Sequence, residues 1–331
     1  MKSLWNDAEA AQYSGPLGLR VYTSRLLGRD KSLVLHGGGN TSVKLRERNL
    51  FGDEEEVLYV KGSGWDMETI EAAGFAPVQL AYVRRLASLP ALSDPQMVNE
   101  LATHTLRAGA PAPSVETILH AILPHKYVDH THADAVLSVS NASGGEARVR
   151  DIYGDKAVVI PYIMAGFDLA AYCAREFPKQ AKKGTVGMML LSHGVFSFAE
   201  DARESYELMI ELVSMAEKYL AAKKAWSIGM PEAPAPRFKR EDAAQMRRDV
   251  SRAAGFPLLC RCNDAPRFLG FARHPDVARI SQGGPATPDH VIRTKPVPML
   301  GRDVGAFANA YRAYFERNAA IVKAFDIKLN P

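Results

Sequence analysis

The chain has 331 residues, and 41 Lys and Arg set against 37 Asp and Glu leave a formal charge of only +4. That balance is not the signature of a polyanion binder, so no nucleic-acid partner is expected. A 47% hydrophobic share and a 24% charged share describe an ordinary globular protein, long enough for about two domains at ~100–200 residues each.

The opening MKSLWNDAEAAQY has no apolar core or small-residue cleavage site of a secretory leader. No uninterrupted run of ~18 apolar residues follows, so no membrane partner is expected and the expected location is cytoplasmic. Three cysteines, Cys173, Cys260 and Cys262, match neither a disulfide framework nor a C-x-x-C metal knuckle.

Along the chain, apolar residues recur at three and four in Pro16–Leu27, Asp66–Ala73, Asp94–Arg107, Val115–Leu123, Asp168–Phe177 and Asp201–Ala222, which predicts helices. Between them, Leu33–Leu35, Val57–Val60, Tyr127–Val128, Ala157–Ile160 and Val186–Leu191 are strand-length apolar runs. The interleaving predicts an α/β protein with a central mixed sheet flanked by helices. Gly229–Arg237 holds three prolines in nine residues and reads as a linker. It separates a catalytic domain, residues 1–228, from an extension at 238–331 for which no role is assigned. The extension shows a polar helix at Arg240–Ala254, a short apolar FPLLC run and a last helix near Val304–Ala324. It is expected to be a smaller α/β unit.

Four of the nine histidines fall between His120 and His132. If Tyr127–Asp134 contains a strand, His130 and His132 project from one face, because side chains on a strand alternate. Two imidazoles on one face can share a cation, and three protein ligands with an open position define a catalytic zinc site. The third candidate is His193, at the end of the Val186–Leu191 run. With ~2.0–2.1 Å Zn–N bonds, the ring nitrogens must converge to about 3–4 Å of one another.

Glu116 follows Pro113-Ser114-Val115, a plausible helix start, and beside a metal it becomes a candidate proton shuttle. Two glycine-rich turns, His36–Ser42 and Lys61–Trp65, follow apolar runs and have the backbone donors of an anion nest. No G-x-x-x-x-G-K-[ST] occurs, and no G-x-G-x-x-G lies between a strand and a helix, which argues against nucleotide binding and an oxidoreductase. His36, His104, His120 and His125 read as loop, surface or core-edge residues. Thr287-Pro288-Asp289-His290 reads as a turn; Arg293 and Lys295 downstream offer cations to a phosphate, but a structural role outweighs that.

In chain order, GGGNTS, KGSGW, PSVE, HTH and SHG resemble the class II aldolase/adducin family over about residues 15–225. More narrowly, NDAEAAQY, LGLRVYTSRLLGRD, LHGGGNTSVK, KGSGWDM, PSVETILHAILPHKYVDHTHADAVLSVSN and GPATPDHVIRTK resemble the aldolase half of bifunctional rhamnulose-1-phosphate aldolase/short-chain dehydrogenase proteins. The chain ends at Pro331 with no dinucleotide fingerprint, so the resemblance implies a stand-alone or shortened relative. It implies that His130, His132 and His193 ligate Zn²⁺ or another divalent metal, with Glu116 as acid/base. It places the substrate phosphate on Asn40, Ser63, Gly64 and Ser114. It offers Tyr153, with Tyr162 competing, as a tyrosine acting on the C4 hydroxyl from a neighbouring subunit.

The implied reaction cleaves a ketose 1-phosphate to dihydroxyacetone phosphate and an aldehyde, in a homo-oligomer, commonly a tetramer. Two alternatives stay open: sugar-phosphate 4-epimerisation or dehydration with the same pieces, and a non-enzymatic adducin-like interaction module. The sequence departs from the compact fuculose and ribulose phosphate members in two ways. Glu116 and His130 are only fourteen residues apart, and P-S-V-E-T supplies one hydroxyl, Ser114, where those members have two.

Overall fold

The structure is a computed structural model that describes residues 1–226, 229–231 and 239–323; residues 232–237 of the expected linker and Ala324, the end of the expected last helix, lie outside the described residues. The chain divides into two units, Met1–Trp226 with Ala286–Ile292, and Ser227–Pro285 with Arg293–Pro331.

The first unit is built on seven strands: β1 Asn40–Arg48, β2 Glu54–Lys61, β3 Phe75–Gln79, β4 Tyr127–Thr131, β5 Ala157–Ile160, β6 Gly187–Leu190 and β7 Gly194–Ala199. They lie in the order β3-β2-β1-β4-β7-β6-β5. Only β5 and β6 pair in parallel, and every other neighbour is antiparallel. This is the mixed sheet that the interleaved pattern predicts.

Nine helices of the same stretch surround the sheet. They are α1 Asp7–Ala10, α2 Gly15–Arg29, α3 Leu80–Leu86, α4 Asp94–Thr103, α5 Thr117–Ile122, α6 Asp134–Ser140, α7 Gly145–Tyr153, α8 Phe167–Gln180 and α9 Ala202–Ala222. Alternation along the strands divides the core in two. Val128, Val158, Ile160, Met188, Leu190 and Phe196 pack with α3, α4, α5 and α8. Val159, Met189 and Val195 pack with α2, α6, α7 and α9. Capping residues set several starts: Asp201 accepts from the Arg203 and Glu204 amides at α9, and Ser93 and Gln96 form a reciprocal capping box at α4.

Two expected elements take other forms. Leu33–Leu35 leaves a turn as irregular chain beside β4, with Leu33 and Val34 buried and the Leu33 carbonyl accepting from His132 N at 3.0 Å. Asp66–Ala73 forms turns and a short 3₁₀ segment at Ala72–Gly74, because the Asp66 carboxylate caps the Glu68 amide and draws the backbone into a local turn. The second unit is helical among the described residues, with α10 Arg240–Ala254, α11 Pro266–Ala272, α12 Val277–Ile280 and α14 Val304–Lys323; α13, Pro288–Arg293, begins in the first unit. The expected α/β character of the extension is corrected accordingly: Phe256–Cys260 pairs with no strand. Among the described residues, no helix is long and apolar enough to cross a membrane.

One buried ion pair fixes the central strand. Asp129 on β4 points away from His130, pairs with Arg20 of α2 and accepts from the Ser205 hydroxyl of α9. Arg20 also reaches the Ser42 and Val128 carbonyls at 3.4 Å each, so one guanidinium ties α2 to both β1 and β4. Both side chains are fully buried, and removing one charge leaves the other stranded. Arg20→Met is therefore expected to cost about 3–5 kcal/mol in urea denaturation. Adding Asp129→Leu to it should recover part of that loss.

Candidate metal centre

β4 delivers His130 within the strand and His132 one residue past its end, so alternation aims both rings the same way. The His130 ring stacks on Phe196 of β7, with centroids 4.1 Å apart and planes 17° apart, which fixes its tilt. His193 arrives from the β6–β7 turn, where Ser192 takes φ 58°. The next residue must be Gly194: a Cβ there would lie 2.4 Å from the Thr131 carbonyl and 2.8 Å from His130 Cε1. The sequence therefore brings the three predicted histidines to one place, and all three are buried.

The ring partners settle the tautomers of the first two. His130 Nδ1 faces the Val195 carbonyl at 3.1 Å, and His132 Nδ1 faces Asp289 Oδ1 at 2.6 Å. Both partners can only accept, so both Nδ1 atoms carry the proton and both Nε2 atoms present bare lone pairs. Those two Nε2 atoms are 3.1 Å apart. Burial also lowers the basicity of His130 well below that of a free imidazole, and the neighbouring His132 and His193 add to the effect. His193 is lowered by burial too. Neutral imidazoles with converging lone pairs are the donor set that Zn²⁺ and related divalent ions take.

The three ligand atoms lie within 4.8 Å of one another. The His130–His132 pair thus meets the expected separation, whereas the set as a whole is wider than the ~3.3 Å edge of a zinc–nitrogen tetrahedron, so binding an ion must draw the rings together.

Glu116 completes the group from the N-terminus of α5. Its Oε1 lies 3.3 Å from His193 Nε2 and its Oε2 3.5 Å from His130 Nε2. Oε2 accepts from Asn40 Nδ2 at 2.6 Å, while the buried Oε1 has no hydrogen-bond partner. A buried carboxylate oxygen left bare beside three imidazoles supports the fit of a cation.

Asn40 is itself held. Because its Nδ2 donates to the carboxylate, its Oδ1 must accept, and the donor is His120 Nε2. His120 Nδ1 then accepts from the Ser42 hydroxyl at 2.8 Å. His120, read from the sequence as a surface or core-edge residue, is fully buried, and burial lowers its basicity well below the usual value.

The remaining expected residues fall into two groups. Asn40 and Ser114 lie inside the cluster, the Ser114 hydroxyl accepting from Asn40 Nδ2 at 3.1 Å and from the Glu116 amide at 3.3 Å. Ser63 and Gly64 are exposed in the turn after β2, with Gly64 at φ +80° and the Ser63 amide donating to the Ala112 carbonyl at 2.8 Å. Lys61 Nζ donates to the Gly37 carbonyl at 2.9 Å, so the two glycine turns are tied together.

Tyr153 is corrected. It is buried on α7 and its hydroxyl donates to the Leu212 carbonyl of α9 at 3.0 Å, so it is a core residue that cannot reach into another subunit. Two supports escaped the sequence reading. His120 gave only a helical pattern, and Asp289 lies 157 positions from the ring it contacts.

The model of the Class II Aldolase and Adducin N-terminal domain matches residues 19–220, and the model of Aldolase class II, second domain, matches residues 238–328. A Bacillus subtilis (strain 168) protein, the uncharacterized oxidoreductase YuxG, is 32% identical over 342 residues, covering 96% of this chain and 49% of its own length. The chain thus spans about half the length of the curated relative it matches. The solved N-terminal class II aldolase domain of a conserved protein from Thermoplasma acidophilum is 39% identical, with a TM-score of 0.61, covering 66% of this chain and 99% of that one.

Two substitutions separate the site from its surroundings. His132→Ala is expected to abolish retention of a divalent metal through dialysis, read by elemental analysis. Tyr153→Phe is expected to leave metal content unchanged and to lower stability by about 1 kcal/mol, the usual worth of one neutral hydrogen bond, read by urea denaturation.

Proposed function

The chain belongs to the class II aldolase and adducin family, and we propose that it is a metal-dependent carbon–carbon lyase acting on a ketose 1-phosphate of the rhamnulose-1-phosphate type. Its products are dihydroxyacetone phosphate and an aldehyde. The observation that carries this reading is the bare Oε1 of Glu116, buried 3.3 Å from His193 Nε2 in a cluster of three histidines able to hold a metal ion. A structural carboxylate would have its oxygens satisfied, whereas a proton-transfer group needs one left accessible to substrate.

In this reading, His130, His132 and His193 would hold a divalent cation, Zn²⁺ by ligand type, which when bound would supply Lewis-acid polarisation of the ketose carbonyl. Retro-aldol cleavage takes the proton from the C4 hydroxyl, breaks the C3–C4 bond and requires a proton at C3 of the released triose phosphate. Glu116 takes the C4 proton on Oε1 and returns it from the same atom to C3, while Asn40 holds Oε2 and so fixes the direction of transfer. The phosphate lies against the exposed Ser63–Gly64 turn, bordered by Asn40 and Ser114. Fixing the far end of the substrate there uses remote binding to orient the scissile bond. The same reading assigns the chemistry to residues 1–228, followed by a linker at 229–237 and the extension at 238–331. It places the enzyme in the cytoplasm as a homo-oligomer, a tetramer by resemblance.

Glu116→Gln keeps the shape of the side chain and removes the transferable proton. It is expected to retain metal and to lose about 10²–10⁴-fold in turnover, measured by coupled detection of dihydroxyacetone phosphate released from rhamnulose 1-phosphate. Full turnover in that variant would overturn the assignment, and consumption of ketose phosphate with no triose phosphate released would point to epimerisation or dehydration.

A further inference from the structure

Asp289 stands far in sequence from the residues of the metal centre, in the stretch matched by the second family model, yet the segment Ala286–Ile292 belongs to the first unit. Its carboxylate is buried and divided between two partners. Oδ1 lies 2.6 Å from His132 Nδ1, and Oδ2 accepts from the Leu35 amide at 2.8 Å. The glycine turn is shaped around it: a Cβ on Gly38 would lie 1.5 Å from Asp289 Oδ1, although Gly38 is not at positive φ and its backbone would accept alanine. Gly38 is thus glycine for the sake of space, and the space is filled by this carboxylate.

We infer that Asp289 is a positioning residue for the metal centre, holding the proton on His132 Nδ1 so that Nε2 faces the cation as a lone pair. This rests on the metal-centre reading above. Turning the imidazole about its Cβ–Cγ bond, or moving its proton to Nε2, would remove a ligand without changing any residue that touches the ion. The Leu35 amide prevents the carboxylate from following such a turn, because one oxygen is anchored to the main chain. A carboxylate also raises the donor strength of the ring it accepts from, an outer partner of the kind that commonly alters metal affinity 10–100-fold. His130 has a carbonyl, Val195, in the same position, so the two strand histidines are oriented by different groups and only His132 depends on a distant segment.

The test is Co²⁺ binding to the full chain, followed by competition with a chelator and by the d–d absorption spectrum. Asp289→Ala is expected to weaken Co²⁺ binding 10–100-fold, and Asp289→Asn, which retains an acceptor, to weaken it less while altering the spectrum. Gly38→Ala leaves Asp289 in the sequence but displaces it, and should weaken binding as Asp289→Ala does. Asn141→Ala is the control: Asn141 Nδ2 donates to the Ala286 carbonyl at 3.0 Å, so the variant loosens the segment without touching His132 and should bind Co²⁺ as the unaltered chain does. Unchanged affinity and spectrum in Asp289→Asn and Gly38→Ala would overturn the inference, as would an equal loss in Asn141→Ala. An unaltered chain that takes up no Co²⁺ would instead overturn the metal reading on which the inference rests.

Discussion

Two imidazole nitrogens bearing lone pairs and no protons lie 3.1 Å apart past the middle of the sheet. Each of the two rings is held there from behind. The Val195 carbonyl and the Phe196 face hold His130, Asp289 holds His132, and the Cβ-less Gly194 that opens β7 lets the third ring approach. A protein that holds like dipoles together in advance lowers the reorganisation needed when a cation arrives, the logic of a preorganised site. The remaining spread, up to 4.8 Å across the three ligand atoms, is the part of that reorganisation left to binding.

The rigidity behind those rings comes from the other face of the same strand. β4 alternates, so His130 faces α5 while Asp129 faces α2 and α9, where Arg20 and Ser205 meet it. A hydrophobic pair would fill that space with similar stability. What the ion pair adds is direction: its hydrogen bonds reach one β4 carbonyl, one β1 carbonyl and one α9 hydroxyl. The register of β1 on β4 sets Asn40 opposite His130. A slip of one residue would turn His130 to the wrong face and separate Asn40 from Glu116.

The legible parts of the sequence were those whose chemistry is local. The H-x-H spacing reads directly as two rings on one face, and His193 after an apolar run reads as a strand end. Alternation and heptad-like spacing placed α2, α8 and α9 within a few residues. β1 was not legible because its buried first residues, Asn40–Ser42, are polar and its last, Arg46–Arg48, are charged and exposed, which leaves no apolar alternation to read. Leu33–Leu35 misled for the opposite reason, an apolar run that forms no strand and buries Leu33 and Val34 as irregular chain. Asn40 was read as a phosphate ligand from its motif, and nothing nearby signals that its amide is taken up by Glu116 and His120. Asp289 is the extreme case, since a turn-like T-P-D-H carries no mark of a partner 157 positions away.

The support of Glu116 has one more consequence. Ser42, His120 and Asn40 form a chain of hydrogen bonds ending on Oε2, and each link is neutral, His120 included, because burial disfavours its cation. Such a chain fixes where the carboxylate points without setting a counter-charge against it. A lysine or arginine in the place of Asn40 would hold the oxygen as firmly but would compete with a bound cation for the same negative charge. Neutral support on Oε2 therefore sets no counter-charge against Glu116 and leaves Oε1 bare beside His193, as the proposed proton transfer requires.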